Sequence, residues 1–375
     1  MANRRQFLTG LLATGLAPLP TWADAGSPAF LSAAARADGA YVLCGISTDR
    51  DILFQIPLPT RGHAAAAHPI KPLAVAFARR PGAFAVVVDC ASGQSIAMLN
   101  APQGRHFYGH GAFSQDGAWL FTTENDYEAG TGRVGVWDVS AGFQRAAEFA
   151  SGGIGPHDIK RLPDTDTLVV ANGGIDTHPD SGRTKLNIAT MRPNLSYIAD
   201  GKVVEVVTLD PDYHKNSIRH LSVAHDGNVA FGMQWQGDGP ALPLVGTHMR
   251  AKAPHLFSIE STALRQMQGY VGSITFGQSG AEVIATSPRG GLVQRFDATV
   301  GALTNQTPLE DACGVANAPG EVIVTTGTGK IVGLNSDQTT THAALRWDNH
   351  LISLRAETHS LRPRQFPERG TKRGV

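Results

Sequence analysis

Short apolar runs separated by turn residues recur along the chain. The stretch Tyr108–Gly117 places His110 seven residues before a glycine, and a second apolar run, Trp119–Thr122, follows directly. We call the residue seven positions before the turn the anchor residue. The same spacing recurs in four further stretches: His157 before Asp164, His220 before Gly227, Ser273 before Gly280 and Cys313 before Gly320. Strand, turn and strand repeated at roughly 40-residue spacing is typical of a β-propeller blade.

The two ends of the repeating region are incomplete units. Tyr41–Ile46 has the pattern of a second strand with no inner strand before it, whereas Asp348–Leu354 has the pattern of an inner strand with no second strand after it. Pairing these two segments completes one blade and removes the open edges of the ring. The sequence therefore predicts an all-β fold, a seven-bladed β-propeller over residues 26–354, closed by its N- and C-terminal strands, with His350 at the anchor of the composite blade.

The pattern also predicts the secondary structure of two segments near the N-terminus. The alanine-rich residues 26–38 are predicted as a short helix or an ordered lead-in. Leu73–Phe77 is predicted as the inner strand of its unit, and counting seven residues back from Gly82 reaches Val75, so this unit is expected to have no anchor histidine.

The N-terminus has the pattern of an export signal. Residues 3–8 read Asn-Arg-Arg-Gln-Phe-Leu, a twin-arginine motif, and Ala23, Asp24 and Ala25 form a small-x-small cleavage site. The apolar run from Leu8 to Leu19 is too short to span a bilayer. We predict a signal peptide over residues 1–25, export to the periplasm by the twin-arginine route, no membrane span after cleavage, and a mobile basic tail over residues 355–375.

Charge and cysteine content narrow the range of partners. The chain has 32 basic and 32 acidic residues, and this balance argues against a nucleic-acid partner held by electrostatics. Its three cysteines, Cys44, Cys90 and Cys313, lack a Cys-x-x-Cys spacing. At least one thiol therefore stays unpaired within a monomer, and whether Cys44 and Cys90 form a disulfide stays open.

The repeat geometry predicts a site at one mouth of the axial channel. In a four-stranded antiparallel blade, the inner strand starts on the rim where the second strand ends. We therefore expect the anchor residues and the neighbouring loops to share one face, where imidazoles and a thiolate would suit Fe, Cu or Zn. We call this mouth of the channel the axial funnel. The candidate metal ligands there are His63, His68, His110, His157, His220, Cys313 and His350. Other candidate residues of the funnel are Asn172, Ser273 and Arg289.

Each of these assignments has a structural alternative. A single buried histidine is more often a hydrogen-bonded structural residue than a ligand. Glu124 and Asp126 are candidates for an acid and base pair, and a solvated cluster that caps a turn is the alternative.

Several motifs resemble one known family. They include Gly-Pro-His-Asp at 155–158, Ala-Asn-Gly-Gly-Ile at 171–175, Thr-Ser-Pro-Arg-Gly-Gly at 286–291 and Trp-Asp-Asn-His at 347–350. With these motifs the chain resembles the DUF1513 family of exported, propeller-like proteins. The resemblance implies an accessory role in bacterial iron uptake beside imelysin-like and di-haem oxidoreductase-like proteins, and it favours iron or copper. Met233 is a departure, because the family pattern leads us to expect a cysteine there.

The leading functional hypothesis is a periplasmic propeller that binds a transition metal or metal complex at its axial funnel and assists iron acquisition. A metal-dependent or redox enzyme at the same funnel is one alternative. A non-catalytic scaffold whose rim binds a partner protein is another.

Overall fold

The computed structural model describes residues 19–79, 84–182, 184–318, 320–336 and 338–354. These residues form seven four-stranded antiparallel sheets arranged as blades around one axis. The prediction of an all-β, seven-bladed propeller is confirmed. The twin-arginine motif and the basic tail lie outside the described residues, whereas residues 19–25 of the predicted signal peptide lie within them. The signal peptide, its cleavage after residue 25 and the mobile tail stay predictions.

Each blade is a meander of four strands. The first blade takes three strands from the N-terminal end: β1 (Phe30–Arg36), β2 (Tyr41–Ile46) and β3 (Ile52–Leu58). The next three blades contain β4 (Gly62–Ala67), β5 (Leu73–Ala78), β6 (Phe84–Asp89) and β7 (Gln94–Asn100); β8 (Arg105–Phe113), β9 (Trp119–Asp126), β10 (Thr131–Asp138) and β11 (Gln144–Ala150); and β12 (Pro156–Arg161), β13 (Leu168–Asn172), β14 (Asn194–Ala199) and β15 (Lys202–Thr208).

The remaining blades follow in chain order. They contain β16 (Asn216–Val223), β17 (Val229–Trp235), β18 (Val245–His248) and β19 (His255–Leu256); β20 (Ser273–Phe276), β21 (Glu282–Ser287), β22 (Leu292–Asp297) and β23 (Leu303–Pro308); and β24 (Ala312–Ala318), β25 (Glu321–Thr326), β26 (Lys330–Gly333) and β27 (Thr339–Thr341). The last strand is β28 (Leu345–Ser353). One short α-helix, α1 (Ser261–Gln266), and four 3-10 helices at Trp22–Ala25, Pro179–Ser181, Ile188–Thr190 and Pro211–Tyr213 complete the described secondary structure.

The two ends of the chain close the ring within the first blade. Strand β28 is its inner strand and pairs with β1, which in turn pairs with β2. Closure by N- and C-terminal strands is thus confirmed, but Tyr41–Ile46 is the third strand and not the second. The expected helix or lead-in is wrong, because β1 is buried between two strands and tertiary pairing overrides the helix propensity of alanine.

The second blade also differs from the expectation. Its inner strand is β4, whereas Leu73–Ala78 is its second strand. Counting seven residues back from a turn glycine fails in this blade, because a histidine and not a glycine closes the turn between β4 and β5. The Nδ1 atom of His68 accepts hydrogen bonds from the backbone amides of Ile70 and Lys71, at 3.0 and 2.9 Å. This blade therefore has an anchor histidine after all, His63 on β4.

Apolar side chains fill the space between neighbouring blades. The largest cluster includes the fully buried rings of Tyr197, Phe231, Phe257 and Phe296. These layers hold the seven inner strands side by side around the axis. In the described part of the chain, no helix has the length and apolar character needed to cross a membrane.

Candidate metal centre

Five histidines from five different inner strands meet at the propeller axis. They are His63 on β4, His110 on β8, His157 on β12, His220 on β16 and His350 on β28. The ring centroids of neighbouring imidazoles lie 4.5 to 5.2 Å apart, for example 4.5 Å between His63 and His350 and 5.1 Å between His157 and His220. We call these five side chains the histidine cluster.

Irregular strand pairing accompanies each member of the cluster. The register between inner and second strand shifts across Gly62 to Ala65 at His63, across Phe107 to Gly111 at His110, across Pro156 to Asp158 at His157, across Ile218 to His220, and across Trp347 to Leu351 at His350. An extra residue in one strand bends the backbone locally and redirects a side chain. The inner strand that carries Ser273 pairs regularly with its neighbour.

Three of the five imidazoles have donor atoms close enough to share one ion. A ring nitrogen from each of His63, His110 and His350 lies within 4.8 Å of the other two. Three nitrogens bound to one zinc ion at about 2.0–2.1 Å lie about 3.3–3.6 Å from one another. From separations of up to 4.8 Å, each imidazole therefore needs to move inward by less than about 1 Å to coordinate a common ion.

Several ring nitrogens in the cluster have no hydrogen-bond partner among the described residues. They are Nε2 of His110, Nε2 of His350, Nδ1 of His63 and both nitrogens of His220. Leaving a buried polar atom without a partner costs about 1–3 kcal/mol. A bound cation would satisfy the deprotonated nitrogen of an imidazole that coordinates it, whereas dense apolar packing would not.

Two buried aspartates lie beside imidazoles of the cluster. Nδ1 of His110 lies 3.0 Å from Oδ1 of Asp158, so Nε2 is the atom left for a ligand. Nδ1 of His63 lies 3.9 Å from Oδ1 of Asp348, which is too long for a hydrogen bond. Metal-binding histidines usually contact a carboxylate or carbonyl through their second nitrogen, and this contact fixes the tautomer and the ring orientation.

His157 is oriented by the backbone. Its Nδ1 lies 2.8 Å from the carbonyl oxygen of Arg219, so this nitrogen donates and Nε2 is deprotonated in the neutral ring. Arg219 directly precedes His220, and the two neighbouring blades therefore share this contact.

Positive side chains neutralise both aspartates. Burial alone would raise the pKa of Asp158, but Lys160 at 3.3 Å, the imidazole of His110 and the backbone amide of Leu221 together lower it.

Asp348 has a similar environment on the other side of the cluster. Burial would raise its pKa, and the neighbouring His63, together with Arg79 at 3.2 Å and Arg61 at 2.7 Å, lowers it. Both carboxylates are therefore ionised and already paired.

Four of the five histidines are held neutral, His63, His157, His220 and His350. Burial lowers the pKa of His63 from 6.5 to about 4, against the opposing effect of Asp348. Burial, followed by the charges of neighbouring groups, lowers the pKa of His157, His220 and His350 well below 6.5. A neutral imidazole has a free lone pair on one ring nitrogen, which is the state that binds a metal.

His68 does not lie with the other histidines. Its ring accepts two backbone hydrogen bonds in the hairpin after β4 and packs against Phe113 at a centroid distance of 5.2 Å. Its carbonyl oxygen accepts a hydrogen bond of 2.9 Å from Nε1 of Trp22. Its role in the structure is to close a turn at the opposite end of β4 from His63.

Cys313 is buried on its inner strand, but its thiol is directed to a carboxylate. Its Sγ lies 3.6 Å from Oδ1 of Asp311, and burial together with Asp311 raises the pKa of the thiol. All three cysteines are free, so Cys44 and Cys90 do not form a disulfide in this structure.

The acid and base candidates are engaged in ion pairs within their own blade. The two carboxylate oxygens of Glu124 accept hydrogen bonds of 2.7 and 2.9 Å from Arg145, and the residue is fully buried. Asp126 lies 3.4 Å from Arg105 and 3.6 Å from Arg133. These contacts favour the structural interpretation of both carboxylates.

The three other funnel candidates also have partners. Asn172 is fully buried and donates hydrogen bonds to Ser151, Asn194 and Ser196. The hydroxyl oxygen of Ser273 accepts a hydrogen bond of 3.2 Å from the backbone amide of Val315.

Arg289 stacks over the ring of Tyr270 at 4.5 Å, and the hydroxyl of Tyr270 accepts a hydrogen bond of 3.3 Å from Asn349, the neighbour of His350. Arg289 is therefore one contact away from a strand that carries a cluster histidine.

Sequence reasoning did not identify the supporting aspartates. Asp158 directly follows His157 yet supports His110 on the neighbouring strand, and Asp348 precedes His350 by two residues yet faces His63. The only signal in the chain was their proximity to anchor histidines in the sequence. The pairing depends on how neighbouring blades pack against each other, so local spacing does not reveal it.

Comparison with known proteins agrees with the fold. The family model described as "Protein of unknown function (DUF1513)" matches residues 56–354. A solved structure titled "Kuenenia stuttgartiensis Hydrazine Synthase" is similar with a TM-score of 0.58 and 14% sequence identity, over 81% of this chain and 90% of that chain. At this identity the likeness shows the fold alone. A search of curated proteins finds no match. The family match extends over most of the propeller, and the chain therefore belongs to the DUF1513 family.

Proposed function

We propose that this protein binds one transition-metal ion at the propeller axis through His63, His110 and His350. The observation that carries the proposal is the meeting of donor atoms from three inner strands within 4.8 Å of one another. The neutral state of His63 and His350, and the free ring nitrogens, support metal binding over a purely structural role.

The close packing of the cluster favours a bare ion over a bulky complex. His110 is 2% exposed and His350 is 6% exposed, and their ring centroids are 4.5 Å apart. This spacing leaves no room for a bulky group between the rings. We therefore narrow the expected ligand from a metal or metal complex to a metal ion.

The wider biological role rests on the sequence and the family resemblance. The twin-arginine motif supports export to the periplasm, and the resemblance supports an accessory role in iron acquisition beside imelysin-like and di-haem oxidoreductase-like proteins. In this role the protein would hold a metal ion and not transform a substrate. The ion pairs of Glu124 and Asp126 agree with a binding function, since they occupy the carboxylates that an acid and base mechanism would need.

The direct test is elemental analysis of the purified protein after loading with Fe(II), Cu(I) or Zn(II) and desalting. We expect about one equivalent of metal in the natural protein, and loss of that metal in His110→Ala and in the milder His350→Gln. His255→Ala is the matched control, because this histidine is exposed on the outer strand β19. Circular dichroism would confirm that each variant is folded. Absence of bound metal in the natural protein with every ion would refute the proposal.

A further inference from the structure

We propose that the histidine cluster selects a monovalent ion, copper(I), over divalent metals. This inference rests on the proposed metal site and adds the charge of its ion. The relevant features are the chemistry of the donors, the charges immediately behind them and the degree of burial.

The donors at the axis are neutral nitrogens. The group of close donor atoms contains three imidazoles and no carboxylate within the described residues. Among the carboxylates beside the cluster, Asp158 lies 3.0 Å from Nδ1 of His110, and Asp348 lies 3.9 Å from Nδ1 of His63. The thiol of Cys313 is directed to Asp311 and its pKa is raised, so it supplies no negative charge at neutral pH. A bound ion therefore keeps nearly its full charge.

The side chains around the donors carry a positive excess. Asp158 is paired with Lys160, and Asp348 is paired with both Arg61 and Arg79. Two carboxylates thus face three cations, an excess of one positive charge.

The third carboxylate in this region, Asp311, lines a cavity of about 210 Å³ together with Arg346, a cation that is not counted above.

Burial makes the charge of the ion decisive. In the continuum description the cost of moving an ion from water into a low-dielectric site grows with the square of its charge, and it is already large for a single charge. A divalent ion among neutral donors would also be repelled by the surrounding cations twice as strongly as a monovalent ion. Copper(I) is the monovalent first-row metal ion that binds imidazole. Silver(I) has the same charge and a closed shell, so it serves as a redox-inert probe.

The test is a competition between silver(I) and zinc(II) at equal concentrations, in chloride-free buffer, with elemental analysis of the desalted protein. We expect about one equivalent of silver and less than about a tenth of an equivalent of zinc. His110→Ala and His350→Gln should lose the silver, whereas Cys313→Ser should retain it, and these results would locate the ion at imidazoles and not at thiols. Loss of silver in Cys313→Ser would overturn the inference.

A second variant tests the electrostatic reason separately. Arg79→Gln removes a cation that pairs with Asp348 without removing a donor. We expect the preference for silver over zinc to fall by on the order of tenfold, the effect of one partly screened charge. An unchanged ratio would refute the electrostatic argument. Retention of zinc in place of silver would overturn the inference yet leave the metal site intact, and binding of neither ion would refute the metal site itself.

Discussion

Acid should destabilise the metal-free protein because its buried histidines are neutral in the folded state. A histidine with a lowered pKa in the folded protein takes up its proton more readily when the chain unfolds. Below the ordinary value of 6.5 the unfolded state then binds more protons, and stability falls with falling pH. The loss should start near pH 6.5 and continue until the pKa of the folded state is reached, at about 4 for His63 and His68.

The magnitude follows from these two residues. A difference between 6.5 and about 4 corresponds to about 3 kcal/mol per histidine at the acid limit, and to about 2 kcal/mol per histidine by pH 5. His63 and His68 together therefore remove about 4 kcal/mol by pH 5, which is a large part of the 5–15 kcal/mol that stabilises a typical domain. His157, His220 and His350 shift in the same direction and add to this loss.

The assay is urea unfolding of the metal-free protein at pH 8, 7, 6 and 5, followed by circular dichroism. The slope of the free energy of unfolding against pH measures the difference in bound protons between the two states. Replacing one buried histidine, as in His63→Gln or His68→Gln, should reduce that slope by up to about 1.4 kcal/mol per pH unit. His255→Ala should leave it unchanged. A free energy at pH 5 within about 1 kcal/mol of the value at pH 8 would refute the conclusion that these imidazoles are buried and neutral.

Three further predictions concern the scaffold. Gly135→Ala should destabilise the protein by on the order of 2–4 kcal/mol, because a Cβ at this position would lie 2.0 Å from Oε1 of Glu124. Thermal unfolding measures the effect, and an unchanged midpoint would contradict the tight packing of the Glu124–Arg145 pair. Truncation before Leu345 should prevent cooperative folding, since it removes the inner strand of the first blade. A truncated chain with a sharp unfolding transition would show that the propeller folds without closure of the ring by its terminal strands. A thiol reagent should react with no cysteine in the native protein and with three cysteines in denaturant. Fast reaction in the native protein would contradict the burial of the thiols, and reaction of fewer than three cysteines in denaturant would indicate a disulfide.

Local pattern was sufficient to predict most of the fold. Apolar runs alternating with turn residues identified the blades, and the unmatched segments at the two ends led to ring closure. The prediction failed where a different residue closed the turn, as at His68, or where burial on both faces replaced alternation with an alanine-rich run, as in β1. In both cases the predicted position of a strand within its blade was wrong by one strand.

The sequence by itself determined that four histidines recur at equivalent positions of different repeats, namely His110, His157, His220 and His350. Only the tertiary structure decided which of them meet. His63 joins the cluster and His68 does not, although they are five residues apart, because they lie at opposite ends of one strand. The pairing of Asp158 with His110 depends on the packing of two neighbouring blades, and that of Asp348 with His63 also requires the two ends of the chain to meet. The physical reason is that contacts across the axis join residues far apart in the chain, and their geometry depends on how seven blades pack together.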